Sequence, residues 1–445
     1  MIGVVVSRAD EASERIGEHL LALRDWDERA DPDRPDEEGG GTCYRSGPFE
    51  LRTFEDLHLY LDDVAEAFTE TELVVFASRH SGETGPLLTG HFTGNFGPAE
   101  YGGSDGELAI GAPAALDLIV DSLAEYAPEG YETGIECTHH GPSEVGTPSL
   151  FVEVGSGPDQ WADDEAAAAV ARAILALESV SEWSPEQGRT LIGLGGGHYA
   201  PRFERIIRET GWTVGHVGAD WGLEALGELE NEEDVLARAF ERSGANHALV
   251  VGDHPEIETT VEELGYRAVD ETWVRETDGV PLELVERLEA ALCPVGEGLR
   301  FGEPANAYGD GFEIVELPDE LLAEARSVDR ERTRAAVEKS LLAFETDEGG
   351  TIASGAGAVA SRDDRKTLID DLVDVLADGY ESVRREGGEV VVHKRAFDPA
   401  RASELGVPEG PAFGKLAAGK PVEVGDRTIE PDDVTVSRTY RIPLN

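Results

Sequence analysis

Short apolar runs alternate with amphipathic stretches over the first ~290 residues. The runs at 1–7, 73–78, 150–154, 190–194, 213–217 and 247–252 are rich in Val, Ile and Leu. Glycine, proline or charge bounds most of them, which predicts buried strands. Residues 131–138 add another strand and 49–60 one or two. Between them, apolar residues at helical spacing predict helices over 9–23, 111–126, 163–178, 201–209, 232–242, 255–264 and 282–292. Such alternation predicts an α/β fold with a mixed or mostly parallel sheet flanked by helices. The pattern changes after residue 295. A Gly-rich stretch at 296–311 marks a boundary. Beyond it come a charged helix over 321–344, a Gly/Ala loop, a helix over 367–385, a strand over 389–393 and a Gly/Pro-rich tail. The predicted organisation is a main domain over 1–295 and a smaller α+β domain over 296–445.

Two stretches break the alternation. Residues 81–103, SGETGPLLTGHFTGNFGPAEYGG, predict a long loop with aromatic and apolar content, the kind that is usually functional. Residues 133–161 pack Glu136, Cys137, Thr138, His139, His140, Glu144 and Glu153 into one span, with glycines and prolines after the histidine pair. Adjacent histidines on a strand point to opposite faces, whereas in a loop both rings can turn into one cleft.

Charge narrows the setting. The chain has 445 residues, 92 of them acidic and 37 basic, for a formal net charge of −55. Lysine occurs only as Lys339, Lys366, Lys394, Lys415 and Lys420. A surface this acidic repels itself at low salt, and concentrated salt screens it. With 40% hydrophobic residues the chain is no disordered acidic polymer. The composition predicts a halophilic, cytoplasmic protein. It lacks the basic face of a DNA-binding protein. In near-saturating salt counterion release drives little binding, so shape and local arginines must hold any RNA. The three cysteines are widely spaced and form no CxxC, so no disulfide framework is expected. The start MIGVVVSRAD has no basic n-region and predicts no signal peptide. No apolar run approaches the ~20 residues of a membrane span.

The candidate chemistry lies in the histidines. His80, His139-His140, His198 and His254 follow predicted strands, and His216 lies within one. Strand ends converge on one cleft in an α/β fold, which suits a metal site. Imidazole plus carboxylate suits zinc. The candidate ligands are His80, His139, His140, His216 and Glu153; a carboxylate inside the apolar run LFVEVG needs a partner. Glu136, Thr138 and His198 are the candidate catalytic groups, with Glu136 or Glu153 as base or ligand. Thr84, Gly85, Asn95 and the backbone of Gly195, Gly196 and Gly197 are candidate substrate contacts. His91, His247 and His254 are assigned structural or substrate-side roles. His19, His58 and His393 lack polar companions and are read as structural. Cys137 reads as a buried or ligand cysteine rather than a nucleophile. GLGGGH lacks the spacing of a dinucleotide or Walker loop.

HSGETGPLLTGHFTGNFGPAEYGG, IECTHHGPSEVGTPSLFVEVGSGPDQW, LIGLGGGHYAPRF and VGHVGADWGLE together resemble the archaeal and plant type of D-aminoacyl-tRNA deacylase. The resemblance spans roughly residues 1–292, the four motifs falling in the family's order. It implies a fold similar to phosphorylases and peptidyl-tRNA hydrolases, zinc dependence, and hydrolysis of the ester joining a D-amino acid to tRNA. The partner it implies is D-aminoacyl-tRNA, and the expected state is a monomer. Residues 405–434 resemble the C-terminal segment of tRNA 3′-end-processing metallo-β-lactamases, without an HxHxDH motif. Lys415 and Lys420 there are candidate tRNA contacts. The rival readings are a peptidyl-tRNA or other metal-assisted ester or amide hydrolase, and a non-catalytic metal-containing RNA-binding protein.

Overall fold

The computed structural model describes residues 1–179, 189–227, 232–307 and 311–444. The chain clusters into two compact units, Met1–Asp278 and Gly279–Asn445. The helix Leu282–Ala291 therefore belongs to the second unit, although its alternation with the preceding strands placed it in the first.

The first unit holds two sheets. The larger contains β1 (Ile2–Ser7), β2 (Asp27–Asp31), β3 (Gly41–Ser46), β4 (Phe49–Phe54), β5 (Leu73–Arg79), β6 (Leu87–His91), β7 (Glu132–Ile135) and β8 (Ser149–Gly155). Their order is β2-β3-β4-β1-β5-β8-β6-β7. β4, β1, β5 and β8 run parallel, while β6 enters antiparallel to β8. β1, β5 and β8 carry near-continuous apolar runs because both their faces are covered. The second sheet, β9 (Thr190–Leu194), β10 (Thr213–Gly218), β11 (His247–Val250) and β12 (Arg267–Val269), is wholly parallel in the order β10-β9-β11-β12. The helix Pro113–Tyr126 packs on β6 and β7 of one sheet and β10 of the other, joining the two layers. Asp10 starts the helix Glu11–Leu23 by accepting hydrogen bonds from the Ala12 and Ser13 amides.

Two expectations change. Residues 81–103 are not one irregular loop, since Leu87–His91 forms β6 inside them. Gly90 lets that strand approach Leu116 and Ile119; a Cβ there would lie 3.0 Å from Leu116. The charged helix over 321–344 is two helices, Asp319–Val328 and Arg330–Ser340, followed by the strand Ala343–Asp347. Asp329 breaks it by capping the second helix through the Arg332 amide.

The second unit is α+β. A four-stranded sheet, a three-stranded sheet and a two-stranded ribbon, all antiparallel, accompany helices that include Arg362–Ala377. Ile352–Val359, expected as loop, is a strand of small residues; a Cβ on Gly357 would already lie 3.2 Å from Leu317 and Leu341. Among the described residues no helix is long and apolar enough to cross a membrane.

Candidate active site

The segment following β7 crosses from the first sheet to the second. The Glu136 amide donates to the Gly90 carbonyl, Cys137 to His198 and Thr138 to Val217 of β10. This stitch aims Glu136, His139 and His140 into one place. His80 arrives there from the end of β5, and His91 is the last residue of β6. Glu153 comes from the middle of β8, opposite Thr89. His198 stands in the loop after β9.

Three imidazoles are fastened through the same nitrogen. Nδ1–H of His91 donates to the Phe92 carbonyl at 3.0 Å, that of His139 to Cys137 at 2.8 Å, and that of His140 to Gly141 at 2.8 Å. A carbonyl only accepts, so each ring carries its free lone pair on Nε2. Their ring centroids lie 4.4 to 5.0 Å apart. Their ligand nitrogens fall within 4.8 Å of one another. His91 Nε2 is buried without a hydrogen bond; burial disfavours charge on this ring, but Glu153, with Oε1 3.7 Å away, raises its pKa overall. Burial and the neighbouring histidines push His139 well below the ordinary imidazole value, and burial with His91 pushes His140 down to about 3. Neutral imidazoles turned by backbone carbonyls, as at His139 and His140, are what a metal requires of its ligands, and His91 gives up a proton to join them. His140 holds a left-handed φ of 47°, uncommon for a non-glycine residue.

Beside them lie two buried carboxylates and a charged imidazole. Glu136 accepts from Thr89 Oγ1 at 2.5 Å and from His198 Nε2 at 2.8 Å, with His80 Nδ1 at 3.0 Å. Burial pushes Glu136 up, but the bonds from His198 and His80 hold it well below the usual carboxylate range. Glu153 is likewise buried and likewise lowered by His80 and His91. Burial disfavours charge on His80, yet bonding to Glu136 and Glu153 raises it to about 11. Its Nε2–H donates to the Tyr199 hydroxyl at 2.8 Å, which in turn donates to Thr84 Oγ1 at 3.4 Å. A cavity of about 830 Å³ opens onto His80, His139, His140, Glu153 and His198. The arrangement can polarise a carbonyl, hold a proton donor as a cation and remove a proton from water.

Of the residues expected from sequence, His80, His139, His140, Glu136, Glu153 and His198 are brought together. His216 is not among them. Its Nε2–H donates to Ala109 and its Nδ1 meets Thr138 Oγ1, which leaves no lone pair for a metal. Thr138 is spent the same way, on His216 and on the Val217 amide. Asn95 lines the cavity, but its amide is bound to the Gly102 and Ser104 carbonyls. The Gly85 carbonyl accepts from Ser156. Gly195 donates to Gly218, and Gly196 exchanges two hydrogen bonds with Asp220. Lys415 and Lys420 lie exposed in the second unit. Burial and Glu136 push the Cys137 thiol up to about 12, which suits no nucleophile. His91 is the residue that sequence reasoning placed elsewhere. The apolar LLTG before it repeats the run-then-histidine pattern of 73–80 and is the signal that could have found it.

Known proteins are similar to this chain in sequence and, over part of its length, in fold. The family profile described as D-aminoacyl-tRNA deacylase matches residues 67–269. A D-aminoacyl-tRNA deacylase of Natronomonas pharaonis is 55% identical over 441 residues, 99% of each chain. The protein of that name from Halorubrum lacusprofundi is 52% identical over 100% of this chain and 97% of its own. The one from Haloarcula marismortui is 49% identical over the whole of both. A crystal structure of a conserved protein of unknown function superposes with a TM-score of 0.56 at 30% identity, covering 62% of this chain and 98% of its own.

Proposed function

Because the chain belongs to the D-aminoacyl-tRNA deacylase family and hydrolyses the ester between a D-amino acid and tRNA, we propose that it does so in the His–Glu cavity, with zinc held by His91, His139 and His140. The observation that carries this is the convergence of three carbonyl-oriented imidazoles whose ligand nitrogens lie within 4.8 Å of one another beside buried Glu153. In this reading His80 and Glu153, expected as ligands, act beside the trio, the carboxylate meeting both His91 and His80, although each also belongs to a group able to hold a metal. When bound there, zinc supplies a positive charge that polarises the ester carbonyl and acidifies water.

The chain's own groups do the rest. Glu136, kept ionised, accepts from His198 Nε2–H, which leaves Nδ1, 3.7 Å from Cys137 Sγ, as the one basic nitrogen of that ring to take the proton of the attacking water in exchange for this weak thiol contact. His80, kept cationic between Glu136 and Glu153, offers its charge to the oxygen on which negative charge develops. The departing ribose hydroxyl takes its proton back from His198. The ester is labile already, so placement supplies much of the rate.

The protein acts in the cytoplasm on charged tRNA. Residues 296–445 serve as an accessory domain that contacts the tRNA body. Support comes from exposed Lys415 and Lys420, and from a groove of about 410 Å³ where Arg362, Arg365, Lys366 and Arg385 outnumber the one lining acid, Glu313, which pairs with Arg362.

The test is metal analysis and D-tyrosyl-tRNA turnover in molar KCl. About one zinc per chain is expected, with activity lost on chelation and restored by zinc. Full activity in metal-free protein overturns the zinc assignment.

A further inference from the structure

The same cavity has a second set of residues that hydrolysis does not use. Seven large hydrophobic side chains remain exposed among the described residues, and three of them, Tyr60, Tyr101 and Trp221, line this one cavity. They are 60%, 63% and 51% exposed, and all are aromatic. Exposed aromatic faces gathered at a catalytic mouth call for a flat partner.

Their supports are fixed by contacts that otherwise lack a purpose. Tyr60 ends the turn His58–Tyr60. Tyr101 precedes Gly102, whose φ of +78° no side chain readily adopts and whose Cβ would lie 2.0 Å from the Leu59 carbonyl. The Asn95 amide pins that same turn, and the Gly141 amide donates to the Tyr101 carbonyl. Trp221 stands in the first turn of Asp220–Leu226, which the two hydrogen bonds between Gly196 and Asp220 hold in place. Asn95 and Gly196 are thus positioning residues for the rings.

Charge decides what the rings receive. Apart from the histidines, Arg79 is the lining cation, and its guanidinium lies over Trp161 at 5.0 Å from the ring centroid. Asp10, Glu100 and Glu153 line the same cavity. This wall does not suit a phosphate backbone, but it suits the faces of unpaired bases, which stack without regard to charge. In concentrated salt, phosphate contacts weaken while stacking persists.

We propose that Tyr60, Tyr101 and Trp221 form a stacking platform for the unpaired bases at the 3′ end of the RNA, setting the ester beside His80 and His198. The proposal rests on the deacylase reading of the cavity.

The test uses the full chain in molar KCl with Tyr60→Ala, Tyr101→Ala, Trp221→Ala and the ring-keeping Tyr60→Phe, Tyr101→Phe and Trp221→Phe, each checked for cooperative unfolding. Each alanine variant is expected to raise KM for D-tyrosyl-tRNA about tenfold, with kcat within a few-fold, and each phenylalanine variant to keep most of the affinity. A trinucleotide CCA should quench tryptophan emission in the wild type and not in Trp221→Phe. Unchanged KM in all three alanine variants of an active enzyme overturns the platform and leaves the deacylase site standing. Wild-type protein that cleaves D-tyrosine methyl ester but binds no CCA also overturns it. Wild-type protein that cleaves neither that ester nor D-tyrosyl-tRNA overturns the cavity reading itself.

Discussion

Met1–Asp278 holds every histidine except His393 and all six tryptophans, while Gly279–Asn445 holds all five lysines. The charges of the first unit that matter are sealed away, with Glu136 and Glu153 each 2% exposed against buried imidazoles. Those of the second lie at the surface, as in the Lys339–Asp371 pair at 2.9 Å with both side chains solvated. Surface pairs of this kind contribute little, whereas a buried network is costly to break. In a chain of net charge −55, the difference separates charge buried and paired around one cavity from charge left in solvent.

The sharpest way to break that division is inside the first unit. His91→Ala or His139→Ala should lower kcat by more than the roughly 10–100-fold that outer-shell changes cost, with folding in molar KCl intact. Turnover near wild type in both variants would remove the trio from the chemistry.

Acid should come next in effect, and it should single out the same unit. Burial depresses His58, His216 and His247 to about 4 from 6.5. The unfolded chain then binds more protons than the folded one between these values, so stability is full above pH 6.5 and falls as pH drops toward 4. Asp117, raised to about 6 by burial and Asp121, works the other way and offsets part of this. The net loss should be on the order of a few kcal/mol. All tryptophans report on the first unit, so their emission should show a lower unfolding midpoint at pH 5 than at pH 7. An unmoved midpoint contradicts the sign.

The smallest effect lies in the second unit. Lys415→Glu combined with Lys420→Glu should raise KM for charged tRNA a few-fold and leave kcat alone, since binding common to ground and transition states is lost. An unchanged KM would make these lysines structural.

Much of the site was legible because buried strands ending in polar residues are conspicuous: LVVFAS runs into His80, and TLIGL into the glycines before His198. His91 escaped because β6 is short and holds a glycine that packing, not a turn, requires. His216 misled for the opposite reason. It sits in a strand, but the nitrogens that made it a candidate ligand are used to fasten Thr138 and Ala109. Spacing reports which residue types are near, not which lone pairs remain. In the second unit, Asp329 looked like one more charge on a helix face, whereas it is a cap. Residues 367–385 likewise read as one helix, yet the helix stops at Ala377, and Ser382–Glu386 pairs with Glu389–Phe397.

The stitch from Thr138 to Val217 also bears on the order in which the chain is made. His91, His139 and His140 leave the ribosome well before β10 does, but the backbone that aims two of them is anchored on β10. A nascent chain that stops short of Val217 carries all three imidazoles without their common geometry. If the trio holds zinc, its capture waits for the second sheet, and a half-made chain offers neither a competent chelate nor a stray esterase to the ribosome that is making it.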